Sequence, residues 1–430
     1  MNKVRIAIAG AGSRGKDNYV PCALRYPQDM QIVAVADPCR EKVEEMARLY
    51  GVPAENCFSS AEAMLQKPRL ADMLFVCTGD ALHVPHALAA MDKGYDILLE
   101  KPIAVDAAGC LKIQEKARET GRRVIVCHVL RYTPFYREIK RQIDSGRLGR
   151  ISAVHAFENV GYYHYAHSYV RGNWRRADES SPMILSKSCH DLDILLWLTG
   201  KRCRRISSFG SLMEFRPERA PAGASTRCLD GHCQVKEGCP YDAEKIYLAP
   251  VLRGDCGWPA NVVVNEPTAD KVEAALRTGP YGRCVYACDN DVVDHQTVMM
   301  EMQDEIVVTF TMCAFSNRIH RQIKIMGTAG ELEGDMDNHQ IRIWNFGKKP
   351  EIIDISQIES DLSGHGGGDA RMIREVLDLM QGRYADDGSM TTIDRSVESH
   401  LLAFAAEASR LDGGRCLSVE DYISSLTKQN

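Results

Sequence analysis

Val4-Arg5-Ile6-Ala7-Ile8-Ala9-Gly10-Ala11-Gly12-Ser13-Arg14-Gly15 is an alternating apolar run that stops at three glycines spaced G-x-G-x-x-G. A helical pattern follows, then a second apolar run, Ile32-Val33-Ala34-Val35-Ala36, which ends in Asp37, 22 residues after Gly15. Strand, glycine turn, helix, strand and acid in this order form a dinucleotide-binding pattern. Gly10, Gly12 and Gly15 let the turn close and the backbone approach a pyrophosphate, which the helix N-terminus then attracts through Ser13 and Arg14. Asp37 is placed to accept hydrogen bonds from ribose hydroxyls and to repel a 2′-phosphate. NAD is therefore expected over NADP.

The alternation of strands and helices continues. Helical periodicity covers residues 40–50, 83–93 and 106–120, with apolar strands at 73–77, 97–99 and 124–127. Strands this apolar belong to a sheet buried on both faces, so an α/β fold with a doubly wound parallel sheet is expected through residue 128. In such sheets ligands bind at the carboxyl ends of the strands. Two strands end there in polar residues, one at Thr78-Gly79-Asp80 and the other at Glu100-Lys101-Pro102. Pro102 restricts Lys101 to an extended conformation, which sets the lysine on a rigid turn at the mouth of the sheet.

After residue 128 the pattern changes. A helix is expected at 135–145, then strands at 151–157, 204–213, 282–288, 296–301, 306–315, 320–326, 331–334 and 340–344. Several follow one another with short gaps and no helix between them, which is an antiparallel signal. Helices at 370–381 and 393–411 close the chain.

Composition adds exclusions. The 430 residues are 45% hydrophobic and 26% charged, with a formal net charge of −5. There is no basic run to suggest nucleic acid and no apolar run long enough to suggest a membrane span. The segment from Met1 to Arg5 carries no signal-peptide pattern. The 16 cysteines lie mostly singly in apolar runs. Reduced thiols in a cytoplasmic protein are the expectation.

The Gly10 loop, the segment from Thr78 to Pro102, Arg131-Tyr132 and His190-Asp191-Leu192-Asp193 with Trp197 and Gly200 together resemble the Gfo/Idh/MocA family, which includes glucose–fructose oxidoreductase and inositol dehydrogenases. The resemblance implies an N-terminal Rossmann domain over residues 1–128. It implies a second α/β domain over 129–430, with a large, mostly antiparallel open sheet through which subunits associate as a homo-oligomer. It assigns Lys101 and His190 to the active site, Arg131 to the substrate, and His83 to the segment below the cofactor, beside Thr78, Gly79 and Glu100. The family pattern has an Asp four residues before the histidine; here that position is Ser186. Either Lys101 carries the proton transfer alone, or Lys187 replaces the acid with a different charge logic.

Oxidising a secondary alcohol needs a group to take the hydroxyl proton and a donor to stabilise the oxygen. Lys101 and His190 are the candidates. Tyr162-Tyr163-His164-Tyr165 and Asn173-Trp174-Arg175-Arg176 form a polar aromatic segment suited to a sugar or cyclitol, or equally to an ordinary loop or a subunit contact. Tyr163, Trp174 and Arg175 are its substrate candidates. His365, in Gly364-His365-Gly366-Gly367-Gly368, is either a substrate contact or part of a hinge. An insert near 215–260 carries Cys228, His232, Cys233 and Cys239, with Cys256 at its end. Its spacings are looser than the C-x-x-C pairs of structural zinc sites. A small zinc site at Cys228, Cys233 and Cys239 and a polar insert with free thiols both remain open.

The resulting expectation is an NAD-dependent oxidoreductase acting on a small carbohydrate-like polyol: a sugar, glycoside or cyclitol. Two rivals stand beside it. One is a glycosidase or lyase that oxidises its sugar transiently and eliminates the glycosidic oxygen. The other is a non-catalytic dinucleotide-sensing regulator.

Overall fold

The computed structural model describes residues 3–427; Met1, Asn2 and residues 428–430 lie outside the described residues. Six short strands form one parallel sheet: β1 (Val4–Ala9), β2 (Met30–Ala36), β3 (Cys57–Phe58), β4 (Met73–Val76), β5 (Asp96–Leu99) and β6 (Val124–Val126). Their order is β3-β2-β1-β4-β5-β6, and every pairing is parallel. β4, β5 and β6 are buried along their whole length, as their unbroken apolar runs require. The order reverses direction beside β1, which places a crevice at the carboxyl ends of β1 and β4.

Nine strands form the second sheet. They are β7 (Ile151–Asn159), β8 (Cys203–Ser211), β9 (His295–Met302), β10 (Val307–Cys313), β11 (His320–Gly327), β12 (Gly330–Asp335), β13 (Gln340–Asn345), β14 (Glu351–Asp354) and β15 (Leu417–Ser418). The order is β14-β13-β12-β11-β7-β10-β9-β8-β15. Its pairings are antiparallel except β7 with β10. Side chains alternate along these strands. Val154, Ala156, Val308, Phe310, Ile323 and Ile325 enter one core, while Phe157, Phe209, Met299 and Val307 stand on the opposite, open face.

The two closing helices bind the halves together. Met372, Ile373, Val376 and Leu377 of helix Ser363–Met380 complete the core on one face of the parallel sheet. Helix Ile393–Leu411 packs Ile393, Val397 and Leu401 onto the other face. The same helix sends Leu402, Ala403, Ala405 and Ala406 into the core of the second sheet.

Two expected elements differ. Residues 282–288 make short helical turns, not a strand, because Gly282 and Cys284 spend their backbone bonds on Cys228 (3.0 Å) and Thr226 (2.9 Å), away from the sheet. The helix expected at 370–381 is preceded by Gly364, His365, Gly366 and Gly367, all at positive φ, so the chain makes a left-handed turn before helical geometry begins. Among the described residues no helix is long and apolar enough to cross a membrane.

Candidate active site

Gly10 turns the chain at the end of β1 with φ +95°. A Cβ there would stand 2.3 Å from the Cys77 carbonyl oxygen, and one on Gly15 would stand 2.3 Å from that of Gly10. Gly12 instead opens on space, with no atom within 4 Å of its missing Cβ, and Ser13 is exposed beside it. Asp37 accepts from the Ala11 amide (2.7 Å) and the Cys39 amide (2.8 Å), which fixes the glycine loop to the end of β2. An open glycine edge with a carboxylate one strand away fits the pyrophosphate and ribose of a dinucleotide.

The Arg14 side chain, a cofactor candidate, braces the loop against the protein. It donates to Glu100 (2.9 Å), Tyr19 (2.6 Å) and Asp369 (2.6 Å), so it ties the loop to β5 and to the closing helix. Glu100 also accepts from the Tyr19 hydroxyl and from the Lys101 amide (3.0 Å). Burial pushes its carboxyl up, but Arg14, Tyr19 and Lys101 outweigh that and hold it below its ordinary value. The His83 ring spans the carbonyls of Thr78 (3.0 Å) and Pro102 (2.7 Å), joining the loops after β4 and β5. Gly79 has open space where a side chain would be.

Lys101 leaves this frame and points to the second half of the chain. Its ammonium donates to the Ser186 carbonyl at 2.8 Å. Ser186 thus contributes main chain where the family pattern has an acid, and its hydroxyl turns back to Pro182 (3.2 Å). His190, in the first turn of helix Cys189–Thr199, is 6% exposed, and its Nδ1 is buried with no partner. Its ring centroid lies 5.6 Å from that of His128 and 6.3 Å from that of His365. Burial, with the Lys101 charge adding to it, holds the His190 imidazole well below its ordinary pKa, so it is neutral at neutral pH.

Lys187 belongs to a buried ionic group. Its Nζ is 3.2 Å from Glu158, Arg321 is 2.6 Å from the same carboxylate, and Arg321 also donates to Asp191 at 2.7 Å. Burial presses the Lys187 ammonium down, and Glu158 opposes it. Glu158 and Arg321 are cross-strand partners on β7 and β11, on the side of each strand that enters the core. They were not anticipated, yet a charged residue on the apolar parity of a strand is a sequence signal.

The substrate candidates separate. Arg131 is closed by a two-pronged, buried pair with Asp193 (2.6 Å on each prong). Arg175 is held by Asp289 (3.0 Å) and Glu179 (2.9 Å). Trp174 donates to Asp80 (3.0 Å), which also accepts from Ser180 (2.8 Å), so the loop after β4 meets the second half here. His365 is paired with Asp369 at 3.0 Å, with its side chain 40% exposed at the mouth. Tyr163 meets Trp258 of the insert with ring centroids 6.0 Å apart. His164 was missed as an individual candidate: its buried Nδ1 is unpartnered and its ring lies 5.0 Å from Trp258.

The zinc expectation is corrected. Among the described residues no group of three or more histidine, cysteine or acidic side chains converges to hold a metal ion, and this includes Cys228, Cys233 and Cys239. Cys228 accepts instead from Arg171 (3.7 Å), and Cys256 donates to the Pro267 carbonyl (3.4 Å).

Fold and glycine loop together define an NAD-binding oxidoreductase architecture, and the comparisons agree. Residues 4–128 match the oxidoreductase-family model for an NAD-binding Rossmann fold, and residues 140–392 match the family's C-terminal α/β domain. The chain belongs to the Gfo/Idh/MocA oxidoreductase family. It is 23% identical over 399 residues to YteT of Bacillus subtilis (strain 168), named as a candidate oxidoreductase, covering 86% of this chain and 88% of that one. It is 32% identical over 204 residues to an inositol 2-dehydrogenase of Streptomyces avermitilis, a match to 47% of this chain and only 55% of the relative. An inositol dehydrogenase homologue from Azotobacter vinelandii, solved with NAD+, shares the fold at TM-score 0.69 and 16% identity, covering 97% of each chain. A WlbA dehydrogenase from Chromobacterium violaceum, solved with NADH and UDP-GlcNAcA, shares it at TM-score 0.66 and 17% identity, with 97% and 96% covered.

Proposed function

We propose that this protein is an NAD-dependent dehydrogenase acting on a secondary alcohol of a sugar, glycoside or cyclitol. The observation that carries the proposal is the meeting of Lys101, fixed by the Ser186 carbonyl, with the neutral His190 at the mouth of the glycine-loop sheet. Bound NAD supplies the hydride acceptor. The His190 imidazole takes the hydroxyl proton, and the Lys101 ammonium stabilises the oxygen as charge develops. An imidazolium beside Lys101 is disfavoured, so the proton leaves towards the half-exposed His365, whose ring centroid lies 6.3 Å from that of His190. Asp37 favours NAD over NADP. The open face bearing Phe157, Phe209, Met299 and Val307 supports self-association through the second sheet.

A second reading, transient oxidation followed by glycoside elimination, draws support from the insert. Asn265, just after it, accepts from Lys16 of the glycine-loop helix at 3.4 Å, and its Trp258 meets the His164 ring edge-on. A segment joining cofactor loop and substrate wall suits a cofactor retained through the cycle. Incubation with free sugars, cyclitols and aryl glycosides, following NADH absorbance and product mass, separates the two. A keto product with net NADH establishes the dehydrogenase; glycoside cleavage without net NADH establishes the alternative. Neither product across the panel, with NAD still bound, would overturn the enzymatic proposal in favour of a regulator.

A further inference from the structure

The insert and the helix that follows it share a small core around Ile246, Tyr247, Val251 and Val272. Beside that core lies a cavity of about 500 Å³, a volume that suits a small organic molecule. Its wall includes Arg171, Arg227, the thiols of Cys233 and Cys239, and the apolar side chains of Val235 and Val285, and it contains neither Lys101 nor His190.

Arg171 is 1% exposed, and among the described residues no acidic side chain stands within ion-pair distance of it. Its Nε donates to the Arg283 carbonyl (2.7 Å) and its Nη2 to the Tyr241 carbonyl (2.7 Å) and the Cys228 sulfur (3.7 Å), while Nη1 finds no acceptor. The Tyr247 phenol beside it is kept protonated by burial and brings no charge. Arg227 repeats the pattern. Its Nη2 donates to the carbonyls of Leu276 (2.8 Å) and Gly279 (2.5 Å), and its buried Nε finds no acceptor.

The acids of the wall are engaged elsewhere. Asp242 accepts from the Glu244 amide (3.1 Å), Glu237 is exposed to solvent, and Lys236 is closed by Glu244 (2.7 Å). A buried guanidinium held only by carbonyls and a sulfur keeps its charge uncompensated, which is costly. An anion in the cavity removes that cost.

The unspent donors set the chemistry of the anion. One nitrogen on Arg171 and one on Arg227 remain, enough for the two oxygens of a carboxylate and too few for a phosphate. We propose that this cavity binds a small organic monocarboxylate, with its charged end on Arg171 and Arg227 and an apolar body against Val235 and Val285. Arg171 ends the helical run that begins at Tyr162 and carries His164, so the ligand braces the segment that meets Trp258 at the candidate substrate wall.

The purified full chain is titrated by calorimetry with benzoate, phenylpropionate and hexanoate, each beside its amide, and with inorganic phosphate. Labelling with iodoacetamide, followed cysteine by cysteine through peptide mass spectrometry, locates the site. At least one carboxylate is expected to bind about tenfold or more tightly than its amide, the difference that a charged hydrogen bond makes. The same carboxylate slows labelling of Cys233 and Cys239, while Cys256, exposed and outside the wall, keeps its rate. Arg171→Gln removes the difference between acid and amide; should that variant unfold, Arg227→Gln, at a half-buried side chain, gives the same reading. Acid and amide binding alike overturns the proposal, as does phosphate binding more tightly than every carboxylate. So does carboxylate binding that leaves Cys233 and Cys239 labelling unchanged, or no carboxylate binding at millimolar concentration.

Discussion

The parallel sheet and the nine-stranded sheet build their parts of the site in opposite ways. In the first, function comes from what is left out: Gly10 and Gly15 exist because a Cβ would strike a carbonyl, and Gly12 leaves an open edge. There the proposed binding edge is main chain and strand ends. In the second, function comes from charge brought into an apolar face. Glu158 and Arg321 face one another across β7 and β11, with Lys187 and Asp191 added from the following helical segments. A binding edge made of backbone tolerates little side-chain change, whereas a site made of buried charges depends on every partner being present. Lys101 is where the two constructions meet.

The comparison breaks most clearly at Lys101. Lys101→Ala is expected to lower kcat by about 10²–10⁴, while NADH binding, read by fluorescence titration, persists because the glycine edge is untouched. Equal loss of cofactor binding would place Lys101 in the first construction instead.

Next in size is the charge group. Glu158→Gln strands Lys187, leaves Arg321 with Asp191 as its one carboxylate partner, and is expected to cost about 3–5 kcal/mol, measured by urea unfolding. Adding Lys187→Met should recover part of that loss, since fewer unpaired charges remain buried.

Acid should act through the imidazoles behind His190. His400 accepts from the Ile103 amide at 2.9 Å through Nε2, and burial, with His128 beside it, holds its pKa down to about 3. The unfolded imidazole titrates near about 6.5, so below that value the unfolded chain binds the extra proton. This contribution is complete above about pH 6.5 and is lost as pH falls towards 3, by about 1.4 kcal/mol per pH unit. His400→Asn should flatten the decline in urea midpoint between pH 7 and pH 5.

The smallest effect is expected at Asp37. Asp37→Ala removes the ribose-side carboxylate and the brace on the Ala11 amide, and should narrow the NADH over NADPH preference by about tenfold, ~1.4 kcal/mol. An unchanged ratio of the two dissociation constants would mean that another group selects the cofactor.

Legibility divided along the same line. The turn at Gly10, the ends of β4 and β5, and helix Ile393–Leu411 were readable because each depends on local chemistry: a glycine spacing, an apolar run, a 3.6-residue period. That Arg131 is held by Asp193 and Arg175 by Asp289 was not readable, because an arginine's partner is set by what folds against it. Residues 282–288 carried a strand pattern that lost to hydrogen bonds with a loop more than fifty residues earlier.

By itself the chain of residues determined an α/β dinucleotide fold, the glycine edge, the acid at the end of β2 and the lysine before Pro102, since these follow from conformations and periods within a few residues. Only the tertiary structure decided that Lys101 rests on the Ser186 carbonyl, that Lys187 is claimed by Glu158, and that four scattered cysteines share one cavity. Those facts rest on long-range packing, which brings together groups whose separation along the chain carries no trace of their meeting.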